Sequence, residues 1–94
     1  PEEIEQALLE IPEILATVVV PVRDAEFGYR PVAFVQFAGK KLTSRQIQIK
    51  LLDRIARFKI PKHIFPLDTL RLKSGLKTDR SYYKKLASRL VHLS

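Results

Sequence analysis

The sequence predicts an α+β domain: a small, mostly antiparallel three-stranded sheet with three helices packed against it. Two observations carry that prediction. Residues 16–22 and 31–37 are short apolar runs, rich in Val, that suit strands. Three other segments place apolar residues at helical spacing. The elements follow one another as α-β-β-α-β-loop-α, and the first two strands are close enough in sequence to pair as a hairpin. Ninety-four residues make one small domain, with a core of modest stability.

Pro1-Glu2-Glu3-Ile4 has the marks of a helix start. Pro is tolerated in a first turn, and acidic side chains there complement the positive end of the helix dipole. Ile4, Leu8 and Ile11 form its apolar stripe, and Pro12 marks its end. Ala16 to Val22 reads as a strand buried on both faces, with Pro21 at its end or on an exposed edge. Arg23 to Arg30 is expected to be a long polar connection containing Gly28. In the second strand, Pro31 to Phe37, Ala33, Val35 and Phe37 share one face, and Val32, Phe34 and Gln36 the other.

Thr43 and Gln46, three apart, make a capping box, so a helix is expected from Ser44 to Arg57. Its stripe is Ile47, Leu51, Ile55 and Phe58, helped by Leu52. Pro61 forbids more helix, and the Pro-bounded run His63 to Leu67 fits a third strand. Residues 68–77 read as irregular. Thr78 or Asp79 can cap the last helix, whose stripe is Tyr83, Leu86, Ala87, Leu90 and Val91.

The net charge of +7 is unevenly spread. Residues 1–39 hold two basic and seven acidic residues; residues 40–94 hold fifteen basic and three acidic ones. A basic half attracts polyanions, whether nucleic acid, anionic lipid or a phosphorylated small molecule; the bland alternative is a solvated face. With no Cys there is no disulfide framework, which fits the cytosol. No apolar run is long enough to span a bilayer, and no secretory signal begins the chain. The start at Pro1 and the lack of Met suggest a piece of a longer protein. There is no Ser-His-Asp set, Cys nucleophile, HExxH or phosphate-cradling Gly-rich loop, and no metal site is expected. His63 reads as a surface residue, since no partner His or Cys lies near it. What stands out is Leu72-Lys73-Ser74-Gly75-Leu76-Lys77-Thr78-Asp79-Arg80, a loop able to carry a Lys at its tip.

Three ordered motifs give that loop a context: PEEIEQALLEIPEI at 1–14 before a Val-rich strand, FGYRPVAFVQF at 27–37, and FKIP at 58–61 followed by GLKTDR at 75–80. Together they resemble the C-terminal lid domain of the adenylate-forming acyl-CoA synthetases, the superfamily of acyl-CoA ligases, luciferases and peptide-synthetase adenylation domains. The resemblance covers nearly the whole chain. The family's closing motif usually reads Gly-Lys-x-Asp-Arg; here Leu76 separates Gly75 from Lys77, while Lys77-Thr78-Asp79-Arg80 keeps the rest. The spacing is similar to that of some o-succinylbenzoate–CoA ligases of menaquinone synthesis.

The resemblance implies an ATP-dependent acid–CoA ligase working in two half-reactions. A carboxylate first attacks the α-phosphate of ATP, giving an acyl-adenylate and pyrophosphate; the domain then rotates, and the thiol of CoA attacks the adenylate. Lys77 would be the catalytic residue of the first step, with Lys73 as the alternative; Lys77 keeps the family distance to Asp79 and Arg80. Gly75, Thr78, Asp79 and Arg80 would support the loop and cap the helix. Gly28, Tyr29 and Arg30 match the family's Gly-Glu-x loop beside the pantetheine path, with Tyr29 in place of the common Glu. Lys59 and Lys62 lie where relatives can meet CoA phosphates. The implied partners are ATP, a carboxylic acid, CoA and an N-terminal domain that holds ATP and Mg. Neither a membrane nor nucleic acid is implied, and residues 1–94 alone are expected to be inactive. Two other readings stand beside this one. One is a basic α+β nucleic-acid-binding module, although the chain lacks an aromatic-rich sheet motif and a GxxG clamp. The other is an interaction domain with no ligand.

Overall fold

A computed structural model describes residues 2–26, 28–67 and 79–93 of the chain. The first helix, α1 (Glu2–Leu9), opens with Glu2, Glu3 and Glu5 in its first turn and buries Ile4, Ala7 and Leu8. Ile11, one further turn along, is fully buried as its spacing predicts. Two antiparallel strands follow, β1 (Ile14–Asp24) and β2 (Gly28–Phe37).

The hairpin is tighter than the sequence suggests. Pairing runs on to Asp24 opposite Gly28, so the strands take in most of the expected connection from 23 to 30. Polar residues extend the strands here because the turn is built locally. Asp24 Oδ1 accepts the Glu26 N–H at 2.9 Å, and Gly28 takes φ +81°, a left-handed conformation that costs glycine little. Arg30 Nε lies 2.9 Å from Asp24 Oδ2, an ion pair across the two strands. Pro21 sits opposite Pro31. Neither has an N–H to give, so this is a position where facing residues exchange no hydrogen bonds.

Helix α2 (Ser44–Leu51) starts on the predicted capping box. Thr43 Oγ1 accepts the Gln46 N–H at 3.1 Å, and Gln46 Oε1 accepts the Thr43 N–H at 2.8 Å. The helix stops at Leu51, not at Arg57. A run of turns leads into a 3₁₀ turn at Arg57–Lys59. Tertiary contacts supply the reason. Gln48 Nε2 donates to Pro61 O at 3.0 Å and Lys62 O at 3.2 Å, drawing that segment back along α2. Arg54 Nη1 donates to Lys50 O at 2.7 Å, satisfying a carbonyl of the last helical turn. Ile60 is extended, as a residue before proline prefers. The expected stripe is therefore cut short. Ile47, Leu51 and Ile55 are buried, but Leu52 is exposed and Phe58 is 82% exposed.

Strand β3 (His63–Pro66) joins β2 in parallel, giving a mixed sheet of order β1-β2-β3. The last helix, α3 (Arg80–Leu93), begins on Asp79, whose Oδ1 accepts the Tyr82 N–H at 3.0 Å. Thr78, the other predicted cap, lies outside the described residues.

The sheet is covered on both faces. Val19, Ala33 and Val35 point to one side and pack with Ile4 and Leu8 of α1, with Ile11 in the turn after it, and with Ile47 and Leu51 of α2. Val18, Val20, Val22, Val32 and Phe34 point to the other and meet Tyr83 and Ala87 of α3, with Leu86, Leu90 and Val91 partly buried beside them. Alternate residues of β1 thus serve two cores, which is why its sequence is a continuous apolar run. The Phe34 and Tyr83 rings, 5.0 Å apart, tie α3 to the central strand.

Candidate functional site

The tight hairpin and the 3₁₀ turn meet. Tyr29, Arg30 and Pro31 from β2 and Arg57, Phe58, Ile60 and Lys62 from the segment after α2 line one cleft of about 400 Å³. Two large rings are left open to solvent in this region: Phe58, and Tyr29 at 60% exposure. Three cations, Arg30, Arg57 and Lys62, stand around them. A surface that combines exposed rings with cations suits a ligand having both a flat ring and phosphates.

The sequence-derived residues are distributed as follows. Tyr29, Arg30 and Lys62 share the cleft, and Gly28 lies at the hairpin end that precedes them. Lys59 faces an adjoining hollow of about 260 Å³, with Ile4, Pro21, Tyr29 and Phe58. Its Nζ pairs with Glu3 Oε1 at 2.5 Å and lies 5.9 Å from the Phe58 ring centroid. Lys59 and Lys62 therefore line adjoining hollows that share Phe58. Arg57 and Phe58 were not among the residues singled out for binding. The predicted helix ran through Arg57 and placed Phe58 on its buried stripe, so the sequence pattern pointed away from both. Lys77, Lys73, Gly75 and Thr78 lie outside the described residues.

His63 opens β3 opposite Val32, with its ring stacked on Phe65 at 6.0 Å. Burial, and then the charges of Lys62 and Arg30, push its pKa below the ordinary histidine value. It therefore stays neutral near pH 7 and adds no charge to the cleft. Among the described residues no group of three or more His, Asp or Glu is placed to hold a metal ion.

A second constellation lies on the far side of β1. Glu5 of α1 and Arg80 of α3 form a bidentate pair, with Arg80 Nη1 2.9 Å from Glu5 Oε2 and Nη2 3.0 Å from Oε1. The same pair holds the main chain of Val19. Glu5 Oε2 accepts the Val19 N–H at 2.7 Å, and Arg80 Nη1 donates to Val19 O at 3.1 Å. The hydrogen bonds it donates to Glu5 hold the Arg80 guanidinium above its ordinary pKa, against the burial that lowers it.

This fold and these surfaces define a known class of domain: the chain belongs to the AMP-binding enzyme C-terminal domain family, whose model matches residues 3–75. Among individual proteins, it is 39% identical over 93 residues to the 2-succinylbenzoate–CoA ligase of Haemophilus influenzae, a match covering 97% of this chain and 20% of that protein. A variant of MenE from Escherichia coli with bound OSB-AMS superimposes with a TM-score of 0.81 at 33% identity, over 96% of this chain and 19% of that one. The o-succinylbenzoate CoA synthetase MenE of Bacillus subtilis, in complex with the acyl-adenylate intermediate OSB-AMP, matches with a TM-score of 0.68 at 29% identity, over 72% of this chain and 14% of that one. The chain thus spans about a fifth of the length of the curated relatives it matches. The nucleic-acid reading of the basic half gains no support from these likenesses.

Proposed function

We propose that this chain is the mobile C-terminal domain of an ATP-dependent acid–CoA ligase, and that its acid is 2-succinylbenzoate. The observation that carries the reading is the 39% identity to a 2-succinylbenzoate–CoA ligase along 97% of the chain. In this reading the large ATP-binding domain precedes these residues and holds ATP and Mg, and the whole enzyme is cytoplasmic. Among the described residues no helix is long and apolar enough to cross a membrane. The domain contributes a different group to each half-reaction, so residues 1–94 alone are inactive.

In the first half-reaction two anions must meet, a carboxylate and the α-phosphate, and negative charge builds on the phosphoryl oxygens. The ammonium of Lys77, brought in on its loop, offsets both repulsion and developing charge. In the second, rotation withdraws Lys77 and turns the hairpin face toward the active site. Gly28, Tyr29 and Arg30 then border the thiol path. The cleft supports CoA binding on physical grounds: Lys62 and Arg57 supply charges for phosphates, and Phe58 offers a ring for adenine. Lys59 lies beside them but shares its charge with Glu3.

The test is Lys77→Ala in the full-length ligase, with the half-reactions assayed separately. Pyrophosphate release from ATP should fall by about two to three decades, the loss of roughly 3–4 kcal/mol typical of a transition-state charge contact. Attack of CoA on supplied acyl-adenylate should survive. Equal loss in both steps would reject the role given to Lys77.

A further inference from the structure

The Glu5–Arg80 pair closes a ring of four hydrogen bonds with the Val19 main chain. Val19 lies on β1, the outer strand of the sheet, and its partner Ala33 is two places from the Pro21–Pro31 position. By strand alternation its N–H and C=O point away from β2, toward an edge that would otherwise be unpaired. Glu5 takes the donor and Arg80 takes the acceptor. One strand, the first helix and the last helix are thereby joined at a single residue, with Arg80 and Glu2 bordering the adjoining groove of about 700 Å³.

Stability alone is a poor explanation for this arrangement. Glu5 is largely buried but Arg80 is half exposed, and the solvated partner limits what the ion pair itself adds. What a forked guanidinium on a carboxylate supplies is direction, because two parallel bonds fix the plane of both groups. Arg80 is also the first residue of α3, and the preceding Asp79 caps that helix. The entry to α3 is thus fixed twice, by a cap and by a clamp. Lys77 lies three residues upstream in the sequence.

We infer that Glu5 and Arg80 are positioning residues for adenylation: their clamp on Val19 fixes the anchor from which the Lys77 segment departs. This rests on the reading of Lys77 given above. Neither residue need touch a substrate. Their effect is exerted through the placement of one ammonium, where a displacement of about 1 Å can cost around 100-fold in rate.

The experiment uses the full-length ligase and four variants: Arg80→Gln, Glu5→Gln, Lys77→Ala, and Arg80→Gln combined with Lys77→Ala. In Arg80→Gln, and less strongly in Glu5→Gln, pyrophosphate release should fall roughly 10- to 100-fold, with CoA attack on supplied acyl-adenylate unchanged. The double variant should adenylate no more slowly than Lys77→Ala alone, since a clamp acting through Lys77 has nothing left to place. Glu5→Gln keeps an acceptor for Val19 and serves if Arg80→Gln folds poorly. Equal loss in both half-reactions for Glu5→Gln would reduce the pair to a structural tie and overturn the inference. Full adenylation in both single clamp variants, with Lys77→Ala impaired, would overturn it alone. Normal adenylation in Lys77→Ala would overturn the underlying reading, and the clamp with it.

Discussion

Phe58→Ala separates two views of the segment after α2. On a continuous helix Phe58 would fall on the buried stripe, and its loss would cost about 3–5 kcal/mol, as core Phe→Ala changes do. In the fold it is 82% exposed. The 18% that remains covered is about 35–40 Å² of a side chain that can bury roughly 200 Å². At about 25 cal/mol per Å² that amounts to ~1 kcal/mol at most. Urea unfolding of the 94-residue chain should therefore show a small shift in midpoint with an unchanged slope. The functional cost should be larger in proportion. If the ring stacks on adenine, its loss removes about 1–3 kcal/mol, a rise in KM for CoA of roughly 5- to 150-fold in the full-length ligase. The KM for ATP should not move. A destabilisation above about 3 kcal/mol, the loss expected of a core ring, would refute the exposed placement. An unchanged KM for CoA would refute the role of the cleft.

Two further outcomes are expected. Tyr83→Ala, which removes a buried ring in contact with Phe34, should destabilise the domain by about 3–5 kcal/mol in the same unfolding assay. His63 has a folded pKa below its unfolded one, so the unfolded chain binds more protons as pH falls. Its contribution is present above the unfolded pKa and is lost as pH drops through the folded one. Thermal midpoints should fall as pH drops below the ordinary histidine value of 6.5, and His63→Gln should flatten that slope.

Much of the fold was legible because local rules and tertiary packing agree. Ile4, Leu8 and Ile11 were buried as their spacing required, and the Thr43–Gln46 box opened α2 where expected. The continuous apolar run in β1 announced a strand with two covered faces. What could not be read was set by distant contacts. Nothing in Leu52-Asp53-Arg54-Ile55-Ala56 forbids a helix; the stop at Leu51 accompanies hydrogen bonds from Gln48 to Pro61 and Lys62, thirteen and fourteen residues on. The hairpin closed through Asp24 and Gly28, side-chain and left-handed chemistry that a search for apolar alternation passes over. The cleft was half visible. Tyr29, Arg30 and Lys62 came from motif resemblance, whereas Arg57 and Phe58 became visible only once the helix ended early. The clamp on Val19 joins residues 5, 19 and 80, and no pattern in the chain announces it.

The most direct measurement is product analysis of the full-length ligase supplied with 2-succinylbenzoate, ATP and CoA. The predicted result is a CoA thioester formed with AMP and pyrophosphate in equal amounts, and no thioester once residues 1–94 are deleted. Release of ADP and phosphate, or undiminished thioester formation without this domain, would contradict it.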